Sequence, residues 1–544
     1  MELAWPLLVA LLLILLAFLF ANSGGLARRL PPGPAAVPVV GNILWFRHQG
    51  MDVMCAIRRL HARHVPLLAL RMGSRLHVTV SDRRLAHAAL VERGAAIADR
   101  PEYASRDLLG LDAGAISTSN QAISKKTGPG DKRVYRISRF FLAEKFFLAS
   151  NYGPLWRLFR RNFVAEVAHP ARLRLFAQAR AAVLAELTGK LRLEGGSSFV
   201  ETFQYAMFRL LVSMCFGEQL GERAVRDIAA GQRDVLLYSN KLGVFAFLPA
   251  VTTRLFRGRL QAMVAMRQRL KDMYMPLIQA RRERKKLGAL IGAQEDTMTT
   301  TTLPHSYVDT LLDIRLNDDG GRALTDDEMI ALCSEFLNAG TDTTSTALQW
   351  IMAELVKNPA IQDKLHDEIN AIMASAGSDH ISEEDVHRMP YLKAVVLEGL
   401  RRHPPGHLVL PHAPAEDMEL GGYTIPKGTT VNFMVADMAM DEQTWHRPAE
   451  FAPERFLPGG DGEGTDITGT REIRMMPFGA GRRICPGLNV ATLHLEYFVA
   501  NLVREFEWLE QEGEEVDVLG EKAVFTVVMA NPLRARLVPR GIIV

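Results

Sequence analysis

One cysteine of this chain sits where a thiolate could do chemistry. It lies in Pro477-Phe478-Gly479-Ala480-Gly481-Arg482-Arg483-Ile484-Cys485-Pro486-Gly487, a glycine-rich loop directly before an apolar helical stretch, Leu488 to Val503. A helix N-terminus and nearby cations stabilise a thiolate, and Arg482 and Arg483 supply the cations. Glycines let a backbone approach a flat ligand closely and free amides to point at the sulfur. The plain alternative is a buried cysteine in a tight turn. Cys55, Cys215 and Cys333 make no CxxC spacing with it or with one another. That argues against a disulfide framework and a cysteine-based zinc site, so an important cysteine acts alone.

Other reactive types recur at helical spacing. Trp156 and Arg160 stand at i, i+4, on one face of a helix. Ala339-Gly340-Thr341-Asp342-Thr343-Thr344 puts glycine and three threonines inside a long helical pattern, where glycine costs ~1 kcal/mol relative to alanine. Such local weakness predicts a widened turn that admits a ligand. The alternative is a polar patch against another helix. Glu398 and Arg401 stand at i, i+3, by themselves an ordinary surface pair. Phe451-Ala452-Pro453-Glu454-Arg455-Phe456 adds a further arginine, and Pro411-His412 an isolated imidazole. No phosphate-binding G-x-x-x-x-G-K-[ST], no dinucleotide fingerprint after a strand and no HExxH occurs. Flavin and nicotinamide sites are therefore not expected, and electrons for any redox step come from another protein.

The elements that must position these residues are mostly helices. Thr325 and Glu328 form a T-x-x-E capping box and Asn358-Pro359 a stop, which predicts one helix over Asp326–Lys357. At ~48 Å such a helix runs through the middle of a large body. A second helix is predicted from about Pro390 to Arg402, between Pro390 and Pro404-Pro405. Short strands are expected around Leu408–Leu410, Tyr423–Ile425 and Thr429–Phe433, and a loop over Asp461–Thr470. Lys241–Leu255, with Phe245, Phe247 and Leu248, reads either as an access lid or as a core helix. The chain is 544 residues long, 48% hydrophobic and 23% charged, with 64 Lys and Arg against 61 Asp and Glu. It is thus not a disordered chain, and no basic excess is left over for nucleic acid. Length alone would suggest several domains. The absence of a second linker or internal repeat predicts one large, mainly helical domain with small sheets, over residues 39–544.

That domain is expected on a membrane anchor. Leu3–Ala21 is an apolar run broken only by Pro6, ~28 Å of helix and close to one hydrocarbon core. The segment before it has no base, unlike a cleavable signal. Arg28 and Arg29 follow it, which places the body in the cytosol. Residues 1–21 are read as the anchor. Residues 22–38, with Leu30-Pro31-Pro32-Gly33-Pro34 and Pro38, are read as a stiff, extended hinge.

The spacing Phe478, Gly481, Arg483, Cys485, Gly487 satisfies F-x-x-G-x-R-x-C-x-G, so the sequence resembles the cytochrome P-450 haem-thiolate monooxygenases. The anchor, the proline hinge and the Ala339–Thr344 wording look like the plant microsomal type. The run from Gly481 to His494 is most similar to plant family 89. The resemblance covers nearly the whole chain. It implies that Cys485 ligates the iron of haem b (iron protoporphyrin IX), with Phe478 in the same loop, and that Trp156, Arg160, His412 and Arg483 bind the cofactor's carboxylates. It makes Gly340 part of the oxygen groove and Asp342 and Thr343 a proton relay. Glu398, Arg401 and Arg455 become a buried structural ion triad, in which breaking one member costs ~3–5 kcal/mol. Phe336, Ala339, Val409, Leu410, Thr526 and Val527 are implied as walls of a largely apolar substrate pocket.

The implied function is insertion of one atom of dioxygen into a small apolar organic substrate, a plant metabolite. Electrons come from a separate NADPH-dependent reductase of the membrane. The implied site of action is the cytosolic face of the endoplasmic reticulum, with membrane lipid as a further partner. One departure from the family pattern stands out. Lys125–Leu148, about 24 residues, intervenes between Gln121 and Asn151 where the family has a short join. It is either a surface insertion, which loop entropy tolerates, or a translated intron. The second reading would leave a catalytically impaired haem protein. A further alternative is an oxygen-independent haem-thiolate isomerase or dehydratase, against which the intact Asp342-Thr343 pair speaks.

Overall fold

A computed structural model of the chain describes residues 29–36, 41–42, 53–64, 66–72, 75–101, 151–194, 199–246, 249–292, 305–377 and 380–540. The expected anchor over residues 1–21 and the 125–148 stretch lie outside the described residues, as do Phe247 and Leu248. Among the described residues no helix is long and apolar enough to cross a membrane. The chain divides into two compact units with interleaved segments.

The first unit combines residues 1–102, 406–448 and 465–485. Helix α1 (Val53–His64) leads into strands β1 (Leu67–Met72) and β2 (Arg75–Val80), and β3 (Met418–Leu420), β4 (Tyr423–Ile425) and β5 (Thr430–Phe433) follow much later. β1 and β2 pair antiparallel with Leu67 opposite Val80, and β5 joins β2 in parallel with Val80 opposite Phe433. Leu67, Val78, Val80, Ile425, Val431 and Phe433 bury their side chains in one apolar cluster. The described part of the proline stretch is seated on this unit rather than free. The Pro32 carbonyl accepts from the Ala69 amide at 2.8 Å, and the Arg29 carbonyl from the Thr424 amide at 2.8 Å.

The strand expected at Leu408–Leu410 forms only isolated bridges, Leu408 to Met434 and His412 to Val431. The amides of Val409 and His412 donate to the carbonyls of Phe433 and Val431. Three steps on one side thus oppose two on the other, which is a bulge. Pro411, which has no N–H, sits in it.

The second unit holds residues 103–405, 449–464 and 486–544. Its main helices are α2 (Pro154–Glu166), α3 (Ala177–Glu194), α4 (Phe199–Phe216), α5 (Glu222–Ser239), α6 (Arg257–Gly292), α7 (Asp326–Lys357), α8 (Pro359–Ala376), α9 (Pro390–Arg402) and α10 (Leu488–Glu505). Its small antiparallel pairs include β6 (Phe506–Leu509) with β9 (Arg536–Pro539), and β7 (Glu521–Ala523) with β8 (Val527–Met529). The architecture is mainly helical with small sheets.

Helix α7 is the axis of this unit, and its second half is apolar and buried on nearly every side. The capping box fixes its start: the Glu328 amide donates to Thr325 Oγ1 at 3.3 Å, and the Thr325 amide to Glu328 Oε2 at 2.7 Å. Between α5 and α6 the stretch read as either access lid or core helix is a 3-10 turn over Asn240–Ala246 and a short helix over Pro249–Leu255. Phe245 is buried, whereas Leu255 is exposed.

Candidate active site

The cysteine loop belongs to the first unit. The Cys485 amide donates to the Phe478 carbonyl at 2.8 Å and closes the loop on itself. Gly481 has φ +69°, and a Cβ there would stand 1.8 Å from the Leu90 carbonyl oxygen. That glycine therefore serves a close approach of the loop to neighbouring backbone. Cys485 keeps part of its surface open, while Cys215 and Cys333 are buried.

In the same unit, His412 and Arg483 form a polar cluster with Arg100, a residue that no motif singles out. Arg100 Nη1 donates to the carbonyls of Leu410 and Pro411 at 2.9 and 2.7 Å, covering oxygens at the bulge. Arg483 Nε donates to the Ala98 carbonyl at 2.7 Å. His412 is buried, and neither ring nitrogen has a hydrogen-bond partner. Burial, then Arg100 and Arg483, hold its pKa well below the usual imidazole range, so the ring is neutral. A neutral buried imidazole beside two guanidinium groups suits a ligand that brings carboxylates. Among the described residues no group of three or more His, Cys, Asp or Glu could hold a bare metal ion. A lone thiolate therefore fits an iron that arrives with its other ligands already in place, as in a porphyrin. Of the expected wall residues in this unit, Val409 packs against the apolar cluster and Leu410 is 52% exposed.

The second unit carries the remaining candidates. On α2, Trp156 is buried and the Arg160 guanidinium lies 5.8 Å from its ring centroid, as the i, i+4 spacing requires. Glu398 and Arg401, both on α9, meet Arg455 from a 3-10 turn. Arg401 Nε and Nη2 donate to the two carboxylate oxygens of Glu398 at 2.6 and 2.9 Å, and Arg455 Nε donates to Oε1 at 3.0 Å. All three are buried. The Ala452 amide donates to Glu398 Oε1, both arginines donate to the Glu450 carbonyl, and Arg455 also donates to Asp461. Spacing alone gave no sign of Glu450 and Asp461.

The stretch 339–344 differs from the expectation of a widened turn. Helix α7 is α-helical throughout. Thr341 Oγ1 donates to the Leu337 carbonyl at 2.7 Å and Thr343 Oγ1 to the Ala339 carbonyl at 2.6 Å. The hydroxyls thus lie back along the helix, and the ladder stays intact. Gly340 has another use: a Cβ there would be 2.7 Å from Leu211 Cδ1, so the glycine lets α4 approach α7.

Asp342 is largely buried and accepts at Oδ1 from Gln204 Nε2 at 3.3 Å and from Arg233 Nη1 at 3.5 Å. Burial raises its pKa, and Arg233 partly offsets the rise. Gln204 on α4 and Arg233 on α5 lie far from residue 342 in sequence, and no motif marks them. Phe336 is buried against Phe163 and Tyr307, each ring centroid 5.5 Å away, and Ala339 is half-buried. Thr526 and Val527 are buried and hydrogen-bonded within the protein.

The family model described as cytochrome P450 matches residues 31–127 and 119–536. The chain belongs to the cytochrome P450 family. The two matched segments overlap at residues 119–127. Cytochrome P450 89A9 of Arabidopsis thaliana is 40% identical over 526 residues, covering 94% of each chain. Cytochrome P450 98A1 of Sorghum bicolor is 30% identical over 98% of this chain and 95% of its own. Flavonoid 3'-monooxygenase of Arabidopsis thaliana is 29% identical over 97% of this chain and 95% of its own. A zebra fish cytochrome P450 solved with progesterone superposes with a TM-score of 0.67 at 21% identity, covering 90% of this chain and all of that one. The chain is thus a P450 monooxygenase, and as in the family it takes haem, dioxygen, a substrate and a redox partner.

Proposed function

We propose that this P450 inserts one oxygen atom into a small apolar plant metabolite. In this reading it holds haem b through Cys485 and takes electrons from an NADPH-dependent reductase at the endoplasmic reticulum membrane. The observation that carries the proposal is the Phe478–Cys485 loop, self-closed and with its sulfur partly open. Leu3–Ala21 followed by Arg28 and Arg29 supports a single-pass anchor in contact with lipid, with the body on the cytosolic side. Residues 39–544 form the monooxygenase domain that it carries.

Haem, when bound, supplies dioxygen activation and transfer of one oxygen atom to carbon. Cys485 would hold the iron as thiolate. Arg483, His412, Trp156 and Arg160 would hold the cofactor's carboxylates, His412 by donating its single ring N–H. Asp342 would hand on a proton at Oδ2, since Oδ1 accepts from Gln204 and Arg233, and burial raises its pKa in the direction that aids this. Thr343 Oγ1 passes a proton on by rotating away from the Ala339 carbonyl. Gly340 serves this step by setting α7 close against α4. The Glu398, Arg401 and Arg455 triad holds the fold and handles no proton.

Co-expression with a plant NADPH-dependent reductase in microsomes, followed by an untargeted screen of a plant extract, tests the reading. The expected product is one oxygen atom heavier than its precursor and appears only with NADPH, reductase and oxygen. A product formed without oxygen or reductase would instead identify an isomerase or dehydratase.

A further inference from the structure

A single stripe of α7 continues from Thr343 into an unusual set of contacts. Thr346, Trp350 and Glu354 follow at three, seven and eleven residues, on the same helix face. Each holds something outside the helix. Thr346 Oγ1 lies 2.8 Å from Thr526 Oγ1, and both residues are buried. Trp350 Nε1 donates to the Val527 carbonyl at 2.9 Å. Its ring stacks on His403 with centroids 4.1 Å apart and planes 2° from parallel. Glu354 Oε1 accepts from His403 Nε2 at 2.7 Å and from Arg402 Nε at 3.0 Å. The Val527 amide donates to the Pro405 carbonyl at 2.9 Å.

The β7–β8 hairpin is therefore bolted at its turn to the helix through one side-chain hydroxyl and the Val527 carbonyl, and to the Pro405 carbonyl through the Val527 amide. Its base is closed by the Ala530 amide on the Gly520 carbonyl at 2.8 Å. What the bolts leave outward is apolar: Val524 is 42% and Phe525 46% exposed, between Ala523 and buried Thr526. Burying the hydroxyl pair is favourable only while both partners remain. The contact thus specifies one register of hairpin against helix. That register sets the turn about one helical step, ~4.5 Å along the axis, from Thr343.

We infer that Thr346 and Trp350 are positioning residues for the oxidation. They hold the turn 524–526 in register with the Thr343 face, so that Val524 and Phe525 orient the substrate. The inference rests on the reading above that this face borders the reacting centre. It also reassigns Thr526 and Val527, expected as pocket wall, to the fastening of that wall.

The test uses the full-length holoprotein as wild type, Thr346→Val and Thr346→Ser. Hydrogen exchange of peptides spanning 520–530 reads the fastening. Optical titration with imidazole and with 4-phenylimidazole reads ligand orientation, since only the phenyl compound extends beyond the ligating ring. Thr346→Val is expected to speed exchange at residues 524–527 about tenfold and to weaken phenylimidazole about tenfold relative to imidazole, as loss of one buried hydrogen bond predicts. Thr346→Ser, which keeps the hydroxyl, restores both. Unchanged exchange in Thr346→Val would overturn the fastening. Faster exchange with an unchanged affinity ratio would overturn the link to the ligand. Should Thr346→Val fail to fold, Thr526→Val removes the same pair from the hairpin side and is read the same way. A wild-type protein that binds neither azole would contradict the haem reading itself, whereas the exchange arm would still decide the fastening.

Discussion

Two buried polar clusters of this P450, one in each compact unit, solve the cost of burial in opposite ways. Around Glu398 the charges are closed on one another: both carboxylate oxygens accept from guanidinium groups, and the arginines also reach the Glu450 carbonyl and Asp461. Around His412 two guanidinium groups rest on backbone carbonyls, and the imidazole between them has neither nitrogen engaged. A closed network needs nothing more and holds the fold. On the reading proposed above, an imidazole with both nitrogens open beside two cations receives the cofactor's anionic groups. On that reading, residues of the same polarity take a structural role in one unit and a ligand-binding role in the other. What separates them is whether their hydrogen-bonding capacity is spent inside the protein.

The largest test of this contrast is Glu398→Gln. It strands two buried arginines, and equilibrium urea unfolding is expected to report a loss of ~3–5 kcal/mol relative to wild type. A loss under ~1 kcal/mol would remove the distinction. Arg483→Leu is expected to do the reverse. Stability falls by only ~1 kcal/mol, for the hydrogen bond to Ala98, while haem transfer to an apo-globin acceptor speeds up about tenfold or more. Equal losses of stability in the two variants would make both clusters structural.

His494 supplies a control, a buried imidazole whose Nε2 also has no partner but to which no ligand role falls. Burial, aided by Arg180, lowers its pKa to about 3. The folded protein then cannot take up the proton that the unfolded chain binds below pH ~6.5, so stability is full above that value and falls as pH drops towards the folded pKa. Between pH 6.5 and 5 this costs ~2 kcal/mol. His494→Gln should flatten the pH dependence of the unfolding midpoint by that amount, and an unchanged slope would contradict it.

The smallest effect is expected at Arg233, which is half-exposed and 3.5 Å from Asp342. Arg233→Met removes the influence that lowers the Asp342 pKa, so the alkaline limb of turnover moves to higher pH. A shift to lower pH, or none, would separate Asp342 from the proton relay.

Sequence made some of this readable and hid the rest for physical reasons. The thiolate loop and the helix Asp326–Lys357 depend on residues close in the chain: a self-closing hydrogen bond, a capping box and a proline stop. The Glu398–Arg401 pair was visible as spacing, but its burial was not, and Arg455 entered only through family resemblance. Arg100, Gln204 and Arg233 meet their partners across hundreds of residues or between helices, where no spacing rule applies. The threonines of 339–344 were misread because propensity counts the cost of a hydroxyl in a helix and not the back-bond that accommodates it. Gly340 answers to Leu211 on a neighbouring helix, a contact that no local spacing shows.

The central claim is that Cys485 is built to place one thiolate on a haem iron. Dithionite reduction of the full-length holoprotein under carbon monoxide tests it most directly. The prediction is the red-shifted Soret band of thiolate ligation in the wild type, lost in Cys485→His. A folded, haem-loaded wild type whose band sits where imidazole-ligated haem absorbs would contradict the account.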